Sequence, residues 1–297
     1  MRKALAIDIG GTRVKSGIVS SDGEILSQHA EPTPASLAAM RAWLRKMDVT
    51  GVVGAGVGCK GIVNPATTVI ESLPGTLHYL EGQRLSALLP SGLHVCADND
   101  ARVAMAGEMM WGAARGRRNA LMLTLGTGVG GAVLAEGHLL RGAGGVAGHI
   151  GHLTVNPDGP PCICGNRGCL ETYFSAPAIE AAAHASVRRG VATCLTMTST
   201  CQEIFAAAST GDNVAKIVIE QAVKILGGAI AGLLHLLDPE IIILGGQITE
   251  AGPQLLKPLR KEIEWRTKYL LRRTVPVVLP KVTSSIAGAA ALVFAAG

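Results

Sequence analysis

The chain has 297 residues, 48% of them hydrophobic but only 3% aromatic, with 38 glycines and a formal net charge of +5. Its length allows one large domain or two average ones with a substantial core, and apolar content that is mostly Ala, Val, Ile and Leu suits close-packed helices and buried parallel strands better than an all-β sandwich. With so few aromatics to stack bases, the basic groups at Arg115, Arg117, Arg118 and at Arg266, Lys268, Arg272, Arg273 read as solvated faces, so no nucleic-acid partner is expected; the mild positive charge suits an anionic ligand such as a nucleotide.

The first element is the run ALAIDIGGTRVKSGIV, residues 4–19, which reads as a strand, a Gly-Gly-Thr turn and a second strand. Asp8 interrupts its apolar run before it reaches the length of a secretory leader, so none is expected. Next, a short strand ends at Cys96-Ala97, and from Asp100 onward Ala101, Ala104, Met105 and Met109 follow helical spacing. Asp100 then falls near a helix N-terminus. Read alone it is a cap; the alternative is a general base kept ionised by that terminus, with Asn99 orienting it or its substrate.

The stretch LMLTLGTGVGGAVLAEG, residues 121–137, repeats the opening pattern of strand, Gly-Thr-Gly turn and strand. Turn N–H groups and a Thr hydroxyl beside glycines can cradle phosphate oxygens. Two copies point to a duplicated α/β unit, with the halves facing each other across a cleft.

Three of the seven cysteines then gather in a loop rich in Pro and Gly. His152 is followed after nine residues by Cys162, after one more by Cys164 and after four more by Cys169. One imidazole and three thiolates make a closed tetrahedral set for structural zinc, with no position left for water. The competing reading is a loop with unrelated buried thiols. An odd number of cysteines without a leader suits a reducing cytoplasm, and favours metal or catalysis over disulfides.

Further on, IVIEQAVKILGGAIAGLLHLL (217–237) reads as an apolar helix ended by Asp238-Pro239, and EIIILGG (240–246) as a buried strand whose Gly-Gly turn is either a ligand-binding edge or a plain turn into the next helix. The longest apolar stretches, residues 225–237 and 285–297, fall short of a bilayer span, so no membrane association is expected.

The runs DIGGTRVK (8–15), NDARVAMAGE (99–108), LTLGTGVGGAVL (123–134), GAGGVAGHIGH (142–152) and CICGNRGCLE (162–171) together resemble the ROK family (repressor, open reading frame, kinase) over essentially the whole chain. The resemblance implies an α/β, actin-like (ribonuclease-H-like) ATPase fold of two α/β domains flanking a cleft. The expected boundaries are 1–118, rejoined by a C-terminal helix near 286–297, and 119–285. It also implies a cytoplasmic, homodimeric enzyme that moves the γ-phosphoryl group of ATP, with Mg2+, to the 6-hydroxyl of a hexose, glucose or N-acetylmannosamine, and whose domains close to exclude water.

Carried over residue by residue, Asp8, Gly10, Gly11, Thr12 and Lys15 match the first phosphate motif, with Asp8 near magnesium. Gly126, Thr127 and Gly128 match the second phosphate loop, and Gly245 and Gly246 the turn beside the adenosine. Asn99 and Asp100 match the sugar-binding pair, with Asp100 the catalytic base. Gly61, His152 and Glu171 match positions that contact sugar hydroxyls, and His152, Cys162, Cys164 and Cys169 match the family's Zn2+ site.

Two positions depart from the pattern. His149 stands where many members have Glu, which resembles certain N-acetylmannosamine kinases. The loop at 156–171 and the LPG at 73–75 look more like glucokinases. Lys60 replaces the usual Pro of the Gly-x-Pro-Gly loop. A family repressor would carry a helix-turn-helix before the first phosphate motif, for which the seven residues ahead of Asp8 leave no room. A non-catalytic sugar-binding module would not need Asp100 together with complete phosphate loops.

Overall fold

The computed structural model describes every residue except Pro74, Gly75 and Gly297, so the LPG stretch lies partly outside the described residues. The chain divides into two compact units, each described by itself below. The first comprises Met1–Arg117, Leu139–Ala147 and Pro280–Gly297; the second comprises Arg118–His138 and Gly148–Leu279.

The first unit is built on a five-stranded sheet. Strands β1 (Lys3–Ile9) and β2 (Arg13–Ser20) form the antiparallel hairpin read from the sequence, and β3 (Ile25–Pro32) extends it. Helix α1 (Leu37–Arg45) leads to β4 (Ala55–Cys59), which pairs parallel with β1. A small hairpin, β5 (Ile62–Asn64) and β6 (Val69–Ser72), and a short helix α2 (Leu85–Leu88) precede β7 (Val95–Asn99), parallel to β4. The strand order is β3-β2-β1-β4-β7.

Alternation along β1 explains the two layers. Leu5, Ile7 and Ile9 point into a core with Met40 and Leu44 of α1 and Leu85 and Leu88 of α2. Ala4 and Ala6 face the other way, where their small side chains let the C-terminal helix (Ser285–Ala296) lie close to the sheet beside α3 (Asp100–Trp111).

The second unit repeats this plan. Strands β8 (Ala120–Leu125) and β9 (Val129–Ala135) form the antiparallel hairpin, and β10 (His138–Leu139) lies outside β9. Helices α4 (Ala176–Arg188), α5 (Cys201–Thr210) and α6 (Asn213–Leu237) follow, then β11 (Ile241–Gly245), α7 (Pro253–Thr267) and β12 (Val277–Val278). The order β10-β9-β8-β11-β12, with β11 parallel to β8 and β12, matches the first sheet position for position. That match is what a duplicated α/β unit predicts.

Helix α6 corrects one expectation. At 25 residues it is long and apolar enough to cross a membrane by length and composition. The reading from residues 225–237 stopped at Lys224, but Asp212 caps the helix a further twelve residues upstream, by accepting from the Ala215 N–H. Residues Val218, Ala222, Leu226, Ile230 and Leu234 of its length are buried within the second unit.

Candidate functional site

In the first unit the candidate residues collect where β1, β4 and β7 end. Asp8 sits at the end of β1, opposite Lys15 of β2. Its carboxylate makes no hydrogen bond or ion pair among the described residues, so both oxygens remain available as donors to a cation. Gly10 donates to the Arg13 carbonyl across the turn at 3.1 Å, and its own carbonyl accepts from the Thr33 hydroxyl at 2.7 Å. The turn tip, Gly11 and Thr12, is exposed.

At the end of β7 the helix cap falls to Asn99 rather than to Asp100. Asn99 Oδ1 accepts from the Ala101 N–H at 3.0 Å, while Nδ2 donates to the Gly61 carbonyl at 3.0 Å, so one side chain ties β7, α3 and the loop after β4 together. Asp100 is the first residue of α3. Its Oδ1 also accepts from Ala101 N–H at 2.8 Å, leaving Oδ2 open.

Asp100 is exposed at the surface, although protein atoms are dense around it. That loss of hydration raises its pKa above the ordinary carboxylate value. The negative Asp8 adds to the rise, while the Ala101 N–H, Lys60 and Arg102 oppose it.

Sequence reasoning missed what holds this junction. Asp98, fully buried, accepts from Arg102 Nε at 2.6 Å and from Arg141 Nε at 3.0 Å, and its Oδ1 also accepts the Asn99 N–H at 2.8 Å. Arg102 is itself buried and donates to the Gly145 and Ala147 carbonyls at 3.1 Å. A buried carboxylate shared by two guanidiniums is costly to break from one side, by about 3–5 kcal/mol. It fixes the strand end that presents Asn99 and Asp100. An Asp and an Arg at i and i+4 are a visible helix-type pair; what hid this one is that Asp98 lies on the strand.

In the second unit the structure brings together the Gly126–Gly128 loop, Glu171, His152, the three cysteines and Gly246. The Gly126 carbonyl accepts from Ala176 N–H at 2.8 Å, tying the loop to the start of α4. Thr127 is exposed at the tip. Gly246 has φ of 92°, and a side chain there would run into the Leu125 carbonyl. The turn after β11 therefore lies against the end of β8, where the Gly126–Gly128 loop begins. Glu171 Oε2 accepts from Val129 N–H at 2.9 Å, immediately after that loop.

His149 caps and His152 ends a short 3₁₀ turn (Ile150–His152), with rings 6.4 Å apart and 16° from parallel. The ligand atoms of His152, Cys162, Cys164 and Cys169 all lie within 4.8 Å of one another. His152 Nδ1 is 3.6 Å from Cys162 Sγ, and the sulfurs of Cys164 and Cys169 are 3.7 Å apart. Ordinary Zn–N and Zn–S lengths at tetrahedral angles give edges of about 3.6 and about 3.8 Å, so the residues present fit zinc. Burial raises the Cys162 and Cys169 thiols, and at Cys169 the neighbouring sulfurs add to it. At Cys164 burial is outweighed by hydrogen bonds, and its thiol is lowered. Such a crowd of thiols ionises together only around a cation.

A cavity of about 830 Å³ in the second unit, lined by Leu234, Arg260, Ile263, Lys268, Arg272 and Val277, contains none of the candidate residues.

Two sheets of matching order, each opening on a glycine-tipped hairpin, define the actin-like ATPase fold. The chain belongs to the ROK family, whose model matches residues 4–296. It is 35% identical over 281 residues to a glucokinase of Halalkalibacterium halodurans, covering 88% of this chain and 84% of that one. It is 34% identical over 258 residues to an N-acetylmannosamine kinase of Shigella boydii serotype 18, covering 82% of each. Among solved structures it is similar to a ROK family glucokinase from Streptomyces griseus in complex with glucose and AMPPNP, with a TM-score of 0.80, 30% identity and 98% of both chains covered. It is also similar to a ROK family transcriptional regulator homologous to the E. coli MLC protein, with a TM-score of 0.85 and 26% identity, covering 99% of this chain and 78% of the other.

Proposed function

We propose that this protein is an ATP-dependent sugar kinase that transfers the γ-phosphoryl group to the 6-hydroxyl of a hexose, with glucose or N-acetylmannosamine the leading candidates. The observation that carries the reading is the state of Asp100: an open carboxylate oxygen at a helix N-terminus, braced by Asn99 and Asp98. The glucokinase and N-acetylmannosamine kinase relatives support the same chemistry.

Phosphoryl transfer depends on positioning and charge neutralisation more than on covalent help from the protein. Asp100 Oδ2 receives the hydroxyl proton as that oxygen attacks phosphorus. Asn99 keeps one Nδ2 hydrogen for the substrate, because the other is spent on Gly61. The backbone of Gly10–Thr12 with Lys15, and that of Gly126–Gly128, hold the phosphates; Gly245 and Gly246 border the adenosine. Asp8 would hold Mg2+, which supplies positive charge to the triphosphate when bound.

His152, Cys162, Cys164 and Cys169 would hold Zn2+, which cross-links the loop. His152 turns Nδ1 toward the sulfurs, so Nε2 is the atom left to bond a sugar hydroxyl, and Glu171, two residues past Cys169, accepts from another. The MLC-like regulator shares the fold, but Asp100 and both glycine loops are what a phosphotransferase requires. The test is ADP formation from ATP and Mg2+ with glucose, N-acetylmannosamine, N-acetylglucosamine, mannose and fructose. Sugar-dependent ADP release is expected, and its absence with all five would refute the reading.

A further inference from the structure

Strands β1, β4 and β7 run parallel side by side and end together. Ile9 pairs with Cys59, and Cys59 pairs with Asn99. One residue further on, the three strands deliver Gly10, Lys60 and Asp100. The middle strand thus places a lysine between the phosphate turn and the carboxylate. Lys60 Nζ donates to Thr76 Oγ1 at 2.7 Å. That hydroxyl lies 2.9 Å, and Nζ itself 4.0 Å, from where a side chain on Gly11 would begin. The ammonium is therefore held over the Gly10–Gly11 turn.

The positive charge of Lys60 favours the ionised form of nearby Asp100, a long-range effect that needs no fixed partner. Lys60 forms no ion pair among the described residues, and its hydrogen-bond partner is the neutral Thr76 hydroxyl. A half-buried ammonium tethered this way keeps two donor hydrogens for something else. At the edge shared by Asp8, the glycine turn and Asp100, the fitting occupant is an anion that approaches both.

We infer that Lys60 is a catalytic residue that binds the transferring phosphoryl group, an inference that rests on the kinase reading above. In the transfer, the sugar oxygen bonds to the γ-phosphorus as the bond from that phosphorus to the β–γ bridging oxygen breaks. ADP leaves, and the hydroxyl proton passes to Asp100. Charge spread over the three phosphoryl oxygens then lies beside the Asp100 carboxylate. Lys60 neutralises those oxygens throughout and keeps its own proton. The proline usual at this position in the family pattern could not do so.

The experiment compares full-length wild type with Lys60→Met and Lys60→Arg. At saturating sugar and Mg-ATP, kcat of Lys60→Met should fall by about 10²–10³-fold, the usual loss for one donor to a transition-state oxygen. Lys60→Arg should recover part of it. Sugar Kd from calorimetry should change less than about twofold, within the reach of a shifted loop rather than a lost hydrogen bond. Affinity for Mg-AMPPNP should drop toward that for Mg-ADP, which lacks the γ-group.

If circular dichroism shows Lys60→Met unfolded, Thr76→Val keeps the ammonium and frees it; kcat should then fall with Mg-ADP affinity unchanged. Near-wild-type kcat, or a loss of sugar affinity with the AMPPNP-to-ADP ratio intact, would overturn the proposal. Wild type that binds Mg-AMPPNP yet phosphorylates no sugar would instead overturn the kinase reading, and the nucleotide ratio alone would then judge Lys60. Wild type that binds no nucleotide would overturn both.

Discussion

Glu171 accepts the Val129 N–H through Oε2 at 2.9 Å, and that same oxygen lies 2.5 Å from where a side chain on Gly128 would begin. The Gly126–Gly128 loop and the proposed sugar carboxylate therefore meet at one point. A side chain at 128 would push aside the carboxylate at the flexible end of Glu171, so its cost falls on the Glu171–Val129 hydrogen bond. Gly128→Ala should raise KM for the sugar as well as for ATP, although alanine adds a single methyl. Steady-state kinetics with each substrate varied would check this; a change confined to ATP would break the link between Gly128 and Glu171.

The cluster of His152, Cys162, Cys164 and Cys169 sits on the same segment. Freshly purified protein should contain about one zinc per chain, as a closed three-Cys, one-His set demands. Cys164→Ser should lower the zinc content, lower Tm and weaken sugar binding through Glu171, while leaving Mg-ADP affinity close to normal. Elemental analysis and thermal unfolding provide the readouts. Fully active protein without zinc would contradict the assignment.

Asp100 carries a pH signature. Its carboxyl is raised above 3.8 by lost hydration and by Asp8, against the pull of the Ala101 N–H, Lys60 and Arg102; the buried Cys59 thiol is also nearby and is itself raised. The base must be ionised, so kcat/KM should rise with pH on the acid side, along a limb above the ordinary carboxylate range. Lys60→Met should move that limb higher still. The effect on stability has the opposite sense. Between the unfolded and the raised folded pKa the native state holds the extra proton, so this residue's contribution to stability declines as pH climbs through that window. Asp100→Asn should thus match or exceed wild-type Tm at pH 8, with the difference vanishing in acid. A lower Tm for the variant at pH 8 would argue that Asp100 is a structural cap.

His149 is the candidate determinant of sugar choice. It stacks beside His152, and a neutral imidazole can donate one hydrogen bond and accept one where Glu only accepts. A mismatch with a buried hydroxyl or amide costs about 1–3 kcal/mol. His149→Glu should re-rank the five sugars by kcat/KM toward glucose and away from N-acyl sugars, with ATP affinity barely changed. An unaltered ranking in a folded variant would make His149 a bystander.

What the sequence made legible was the part governed by local rules. Glycine-tipped hairpins, a helix starting at Asp100 and the Asp238 stop of α6 all follow from short-range chemistry, and all appear. The strand before that helix runs on to Asn99 rather than ending at Ala97, because pairing with β4 through Cys59 extends it. The spacing of His152, Cys162, Cys164 and Cys169 predicted a set of donors close enough for one ion, and the folded loop brings their ligand atoms together. What stayed hidden depends on contacts distant in sequence. Arg141 reaches Asp98 across 43 residues, and Thr76 meets Lys60 across 16. Neither leaves a periodic trace. Lys60 read only as a departure from a loop pattern until the strand register set it between Gly10 and Asp100.

The role of Asp100 as proton acceptor is tested most directly by one comparison. Wild type and Asp100→Asn would be incubated with Mg-ATP and the preferred sugar, the product followed by phosphorus NMR and sugar affinity measured by calorimetry. Wild type should place phosphate on carbon 6. The variant should bind sugar comparably yet form product about 10²–10⁴-fold more slowly, the span a general base supplies. A variant that turned over at nearly the wild-type rate, or a wild-type product phosphorylated elsewhere, would contradict it.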